Sequence, residues 1–254
     1  MHEHTATFRF YAELNDFLPP ERRQRTFAYA FLGKPAIKDA IEALGIPHTE
    51  VDLILVNGTS VGFDWSLREG DRVAVYPVFE SLDIGPVVRV RDRPLRATRF
   101  ILDVHLGKLA RLLRLLGFDT LYRNDYEDAE IVAIAGAEQR IVLTRDVGLL
   151  KHKAVTHGYW VRATDPLAQA REVIARFDLA DHVSPYRRCL RCNGELKRVD
   201  KAAVISQVPP HVAEEQNAYL RCTGCGRVYW RGSHFHRLEA RIAEMLSLPA
   251  QTGA

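Results

Sequence analysis

Two Cys-x-x-Cys pairs, Cys189-Leu190-Arg191-Cys192 and Cys222-Thr223-Gly224-Cys225, constrain this 254-residue chain more than any other feature. They contain all four of its cysteines, so the spacing argues against two disulfides and for one ion held by four thiolates. Gly194 and Gly226 stand just behind the pairs, where a tight turn aims backbone amides at the thiolates. Four thiolates fill a tetrahedral Zn²⁺ and leave no open position. The expectation is a structural zinc ribbon over residues 184–245, with the 29 residues between the knuckles forming an extended hairpin. His234 and His236 lie near, but four cysteines need no further ligand. Arg187, Arg188, Arg191, Lys197, Arg198, Arg227 and Arg231 surround the module, with Tyr229 and Trp230 beside them. Base stacking and phosphate contacts are one use of that set. An aromatic core pair under solvated arginines is the other.

The amino-terminal segment has a different rhythm. Phe8 and Phe10, then Phe27, Tyr29 and Phe31, alternate with small or polar residues as in two half-buried strands. Pro35 opens a helix with Ile37, Ile41 and Leu44 on one face, and Gly45 ends it. Val51–Val56 reads as a third strand, Asn57-Gly58 as a hairpin turn, and a fourth strand runs through Val73 and Val75 to near Phe79. The order β-β-α-β-β over residues 1–84 predicts a ubiquitin-like β-grasp domain. It resembles the small sulfur-carrier proteins of molybdopterin and thiamine synthesis, which act through a free terminal diglycine. Here the stretch reads Ser81-Leu82-Asp83-Ile84-Gly85-Pro86 and the chain continues, so a docking or RNA-orienting role is expected, with a protein partner as one candidate. Charge separates the parts as well. Residues 1–84 carry 8 basic and 13 acidic side chains, whereas residues 85–254 carry 27 and 19. Different partners for the two halves follow from that imbalance.

After a linker at 86–98, rich in arginine and containing Pro86 and Pro94, short apolar runs alternate with helical stripes, which predicts a parallel sheet. Phe100-Ile101-Leu102 ends at Asp103, and Leu106, Leu109, Leu113 and Leu116 then form a stripe that Gly117 terminates. Thr120–Tyr122 is a second strand, a helix runs from Asp125 to about Ala137, and Ile141–Thr144 is a strand ending at Arg145-Asp146. Tyr159-Trp160-Val161 is the last strand, and Asp165-Pro166 caps a helix to about Leu179. Parallel strands gather ligands at their carboxyl ends. Asp103, Asp146, Asp125 and Asp128 all belong to that edge, and such carboxylates repel one another unless a cation joins them. Oxygen donors of this kind suit Mg²⁺ or Mn²⁺. Asp125 and Asp128 also read as a helix cap with its partner. Thr144 is either a hydrogen-bonding support for a carboxylate or a plain strand residue. Lys108 and Arg111 share a helix face beside Asp103, and Arg145 adjoins Asp146, so each is a candidate phosphate contact or a solvated charge.

The run Phe100-Ile101-Leu102-Asp103, then Leu106 to Thr120, then Leu143-Thr144-Arg145-Asp146 with Leu149-Leu150, is similar to the PIN-like ribonuclease family named after the C-terminal domain of the Mut-seven exonuclease. The likeness extends over about residues 98–245. It implies a PIN-like nuclease domain at 98–182, a β-grasp domain in front, and metal-dependent RNA cleavage. Carried over by position, Asp103, Asp128 and Asp146 are the metal ligands with Asp125 adjacent. The expected protein is therefore an α/β and α+β multidomain hydrolase that cuts RNA at a carboxylate-bound Mg²⁺ or Mn²⁺. The alternative is a non-catalytic RNA-binding adaptor with a vestigial site. No stretch is apolar enough for a membrane helix and no signal-peptide core opens the chain, so a cytoplasmic protein is expected.

Overall fold

The computed structural model describes residues 3–77, 98–232 and 235–247. The linker at 86–97, the Ser81–Pro86 stretch and His234 lie outside them. Among the described residues no helix is long and apolar enough to cross a membrane. The chain divides into two compact units, Met1–Ala97 with Ala135–Trp160, and Thr98–Ile134 with Val161–Ala254.

In the first unit, β1 (Glu3–Phe10) pairs antiparallel with β2 (Phe27–Leu32), setting Phe8 opposite Phe27 and Ala6 opposite Tyr29. Helix α1 (Ile37–Ala43) follows, then β3 (Leu53–Val56), β4 (Thr59–Val61) and β5 (Arg72–Tyr76), giving the order β2-β1-β5-β3-β4. The central pair β1–β5 is parallel, with Phe8 beside Val73 and Phe10 beside Val75. Phe8, Phe10, Ile37, Ile41, Ile54 and Val75 are all buried between sheet and helix, as the alternation required. Asn57 and Gly58 take positive φ of 52° and 86° between β3 and β4, the geometry a two-residue hairpin demands. The third strand starts at Leu53 rather than Val51. Val51 is fully buried, but it leaves a 3-10 turn at His48–Glu50 and joins no ladder.

Strand β6 (Arg99–Leu102) buries Phe100, Ile101 and Leu102 completely and stops at Asp103. Helix α2 (Gly107–Leu115) sinks Leu109 and Leu113, with Leu106 before it and Leu116 after, through the stripe read from the sequence. Gly117 ends it with φ +99°, and a Cβ there would lie 2.0 Å from the Ser184 carbonyl oxygen, so no other residue fits. Strand β7 (Asp119–Leu121) runs parallel to β6, Phe100 beside Thr120. Helix α3 (Asp128–Glu138) leads to β8 (Ile141–Thr144), whose four residues are all buried. A single turn, α4 (Val147–Leu150), precedes β9 (Gly158–Trp160), which lies parallel to β8 with Thr144 beside Trp160. Parallel pairing with helical crossovers explains why these strands read as unbroken apolar runs. Helix α5 (Pro166–Arg176) begins on Asp165, whose carboxylate accepts from the Leu167 and Ala168 amides at 3.0 Å.

The cysteine module holds β10 (Leu196–Val199), the short helix α6 (Pro210–Glu215), β11 (Tyr219–Cys222) and β12 (Val228–Trp230), before the closing helix α7 (Phe235–Leu246). The antiparallel order is β10-β11-β12. The segment between the knuckles is more than a long hairpin. Val204, Val208, Val212 and Tyr219 bury one another and make a small core of its own, and Trp230 packs on it.

Candidate metal centre and nuclease site

The four cysteine Sγ atoms lie within 4.8 Å of one another, the one such group of potential ligands among the described residues. Cys189 and Cys225 are 3.7 Å apart, and Cys192 and Cys222 are 3.4 Å apart. Thiolates at the usual Zn–S length of about 2.3 Å form a tetrahedron with edges of roughly 3.8 Å, so the set fits a zinc ion. The cradle fits too. Gly224 and Cys225 donate their N–H groups to Cys222 Sγ at 3.3 and 3.4 Å. At Gly194 a Cβ would come within 2.8 Å of that sulfur, so the glycine serves close approach, while Asn193 supplies the left-handed turn with φ +68°. Burial raises the Cys189 thiol, but hydrogen bonds from the Tyr229 hydroxyl (3.1 Å) and from backbone amides outweigh it and bring the group down to about 6. The Cys192 thiol, on an exposed residue, is pushed up to about 12 by desolvation and by hydrogen bonds with the other thiols. Cys189 thus takes a negative charge readily, whereas Cys192 resists one. A bound dication removes that resistance. Tyr229 is half-buried, with its hydroxyl beside the Cys189 sulfur.

The module is tied to the α/β part of its unit by residues that sequence reasoning missed. Arg114, on α2, is 3% exposed. Its Nε donates to the Thr120 carbonyl at 2.9 Å, and Nη1 donates to the Arg191 and Leu190 carbonyls at 3.1 and 3.3 Å, inside the first knuckle. Burial lowers its pKa, opposed by the nearby cysteines. Asn193 completes the joint, accepting the Thr120 amide at 2.9 Å and donating to Asp119 Oδ1 at 2.7 Å. Arg188 pairs with the other Asp119 oxygen at 3.4 Å. The available signal was Arg114 itself, a charge set among Leu112, Leu113, Leu115 and Leu116 rather than opposite them.

Asp103 and Asp146 are held by the same device. Asp103 directly follows β6 and Asp146 stands two residues beyond β8, and the Oδ1 of each accepts the amide two residues on, from His105 at 2.8 Å and from Gly148 at 2.7 Å. Asp103 is buried at 4% exposure and Asp146 is exposed. Thr144 is buried, and its Oγ1 accepts the Asp146 amide at 2.8 Å, so it supports the turn that presents the carboxylate. The Arg145 side chain is exposed and its carbonyl accepts the Trp160 indole N–H at 3.2 Å. Asp128 is the exposed first residue of α3.

Asp125 does not cap that helix. It is exposed and forms a two-point pair with Arg123, both bonds 2.9 Å, which holds its carboxyl below the usual range. The cap lies two residues later, where the Glu127 amide donates to Glu130 at 3.1 Å. Lys108 and Arg111 are exposed on α2, away from its buried stripe.

A β-grasp domain, strands followed by aspartates and a four-thiol cradle together define a multidomain α/β protein with a cysteine centre. The family model described as the Mut7-C RNAse domain matches residues 98–242, more than half of the chain, and the protein belongs to that family. The model described as Mut7-C ubiquitin matches residues 3–83. Neither a curated protein nor a solved structure matches significantly.

Proposed function

We propose that the protein is a metal-dependent ribonuclease that hydrolyses RNA phosphodiester bonds, with Asp103, Asp128 and Asp146 holding Mg²⁺ or Mn²⁺. The observation that carries this reading is the RNAse-domain match across both strands that are followed by an aspartate. Three carboxylates are a hard, all-oxygen donor set of the kind these ions take. A divalent cation bound there would supply Lewis acidity, easing deprotonation of water and offsetting charge on the phosphate.

The chain's own groups do the rest. The Gly148 and His105 amides hold one oxygen of Asp146 and Asp103 fixed, so neither carboxylate spends binding energy on rotation. Lys108, Arg111 and Arg145 bind phosphates flanking the scissile bond. Asp125, engaged by Arg123, stands at the rim as an outer acceptor. Cleavage by water leaves a 5′-phosphate and a 3′-hydroxyl. Single-stranded or structured RNA is the substrate class, because no helix among the described residues presents a major-groove recognition face. Zinc at Cys189, Cys192, Cys222 and Cys225 is structural, since four thiolates leave no site for substrate. The compartment proposed is the cytoplasm, where thiols stay reduced.

The test is cleavage of mixed RNAs by the pure protein with Mn²⁺ and with chelator, beside Asp146→Asn. Metal-dependent cleavage that falls at least ~100-fold in the variant, with RNA affinity retained, is the expected result. RNA binding with no cleavage under any divalent ion would favour the adaptor reading. Full activity in Asp146→Asn would remove that residue from the site.

A further inference from the structure

The turn His48–Glu50, between α1 and β3, packs within its unit against the side of β9 that β8 leaves unpaired. His48 Nε2 lies 2.9 Å from the Val155 carbonyl oxygen, and Glu50 Oε1 accepts the Trp160 backbone N–H at 2.5 Å. Lys151 Nζ donates to the Glu42 carbonyl at 3.1 Å, and the Phe17 ring meets the Trp160 indole at 5.0 Å. Glu50 has no exposed surface at all. Taking a carboxylate out of water is costly, so a fully buried one bonded to a strand 110 residues away marks a specific clamp.

The clamp continues inward. Trp160 lies beside Thr144 in the parallel register, and its indole N–H donates to the Arg145 carbonyl. That carbonyl belongs to the peptide that carries the Asp146 amide, which Thr144 holds, and the Asp146 carboxylate accepts from Gly148. Trp160 thus joins two hydrogen bonds through its own covalent frame, its backbone N–H held by Glu50 and its indole N–H holding the Arg145–Asp146 peptide, from the β-grasp domain to the proposed metal ligand.

We propose that the β-grasp domain acts in cis as a positioning element for Asp146, with Glu50 and Trp160 as the positioning residues. This rests on the reading of Asp146 as a metal ligand. The domain then needs no terminal diglycine and no separate partner to matter for cleavage. It fixes the turn on which one of three ligands is mounted, and a ligand displaced by a fraction of an ångström weakens a metal site more than it weakens a fold.

The experiment uses the full chain with Trp160→Phe, Glu50→Ala and Glu50→Gln. The phenylalanine keeps one aromatic ring near Phe17, smaller than the indole, and removes the indole donor, while glutamine keeps an oxygen that accepts the Trp160 amide. Two readouts are taken: amide hydrogen exchange over residues 144–150, and the Mn²⁺ concentration giving half-maximal cleavage. Trp160→Phe and Glu50→Ala should speed exchange in that segment by about ten-fold and raise the Mn²⁺ midpoint several-fold, with the rate recovered at saturating metal. Glu50→Gln should stay near wild type in both. No change at 144–150 in either disruptive variant, or an acceleration spread evenly over the whole chain, overturns the proposal. A wild-type protein that cleaves nothing, with exchange still faster at 144–150 in the variants, would sink the nuclease reading and leave the clamp standing.

Discussion

Replacing Arg114 by methionine keeps most of the stem that fills its slot and deletes every hydrogen bond its head makes. The buried Thr120 carbonyl loses its donor, as do the Leu190 and Arg191 carbonyls at the first knuckle. An acceptor stranded in the interior costs about 1–3 kcal/mol, and the half-exposed knuckle carbonyls less, because water can replace the guanidinium there. Against this, a charge that burial disfavours is no longer held out of water, which returns part of the loss. The net is a destabilisation of about 2–4 kcal/mol. At 2–4 °C per kcal/mol for chains of this size, Tm should fall by roughly 5–15 °C. Arg114→Lys should lose about half as much, since one ammonium cannot fork between Thr120 and the knuckle. Thermal unfolding followed by circular dichroism measures the first effect. Transfer of zinc to a chromogenic chelator measures the second, because the loosened backbone at 190–191 flanks Cys189 and Cys192. A methionine variant with Tm within 2 °C of wild type and an unchanged rate of zinc transfer would show that the joint carries no energy.

Other outcomes follow from the same geometry. One zinc per chain should copurify, and Cys222→Ser should abolish stoichiometric zinc and expose 184–245 to protease; less than half-occupancy in fresh, reduced protein by metal analysis would contradict it. Replacing both Lys108 and Arg111 by alanine removes no buried contact and favours helix, so Tm should hold while RNA affinity weakens across sequences. The log–log salt slope should then fall by roughly 0.7 per lost phosphate contact, and an unchanged slope in filter binding would leave both as surface charge. Gly117→Ala drives a methyl into the Ser184 carbonyl at a positive φ and should lower Tm by more than Arg114→Met; equal stability would mean the turn can rearrange.

Much of the fold was legible because it rests on local periodicity. Alternating Phe8, Phe10, Phe27, Tyr29 and Phe31 marked the first two strands, and Asn57-Gly58 marked the hairpin, each through forces acting within a few residues. The aspartates after the strands were legible for a related reason. Asp103 directly follows three apolar residues, and Asp146 comes two polar residues after a buried apolar run, so each stands where a buried strand emerges. The start of α3 was not. Two acids three apart suggested a cap at Asp125, but Arg123 outcompetes the backbone for that carboxylate and Glu127 with Glu130 does the capping. Arg114, Asn193 and Glu50 were invisible for a deeper reason: their partners lie 77, 73 and 110 residues away, and a buried polar residue is intelligible only with its partner in place. The core of Val204, Val208, Val212 and Tyr219 escaped because Pro209-Pro210 interrupts the four-residue spacing of the valines and Tyr219 comes from the following strand.

The turn at His48–Glu50 bears also on how the protein can be cut. Strand β9 is three residues long and pairs on one side with β8, while its other side is occupied by Glu50 and, just before the strand, His48. A shortened chain beginning after residue 97 would keep every residue of the family's RNAse match and lose that cover. Its uncovered backbone would be a ready template for a second copy, pairing edge to edge into soluble clumps or precipitate. The boundary suggested by the family match is thus a poor place to divide the molecule for expression. A fragment that misbehaves there would reflect a sticky strand rather than an unstable nuclease.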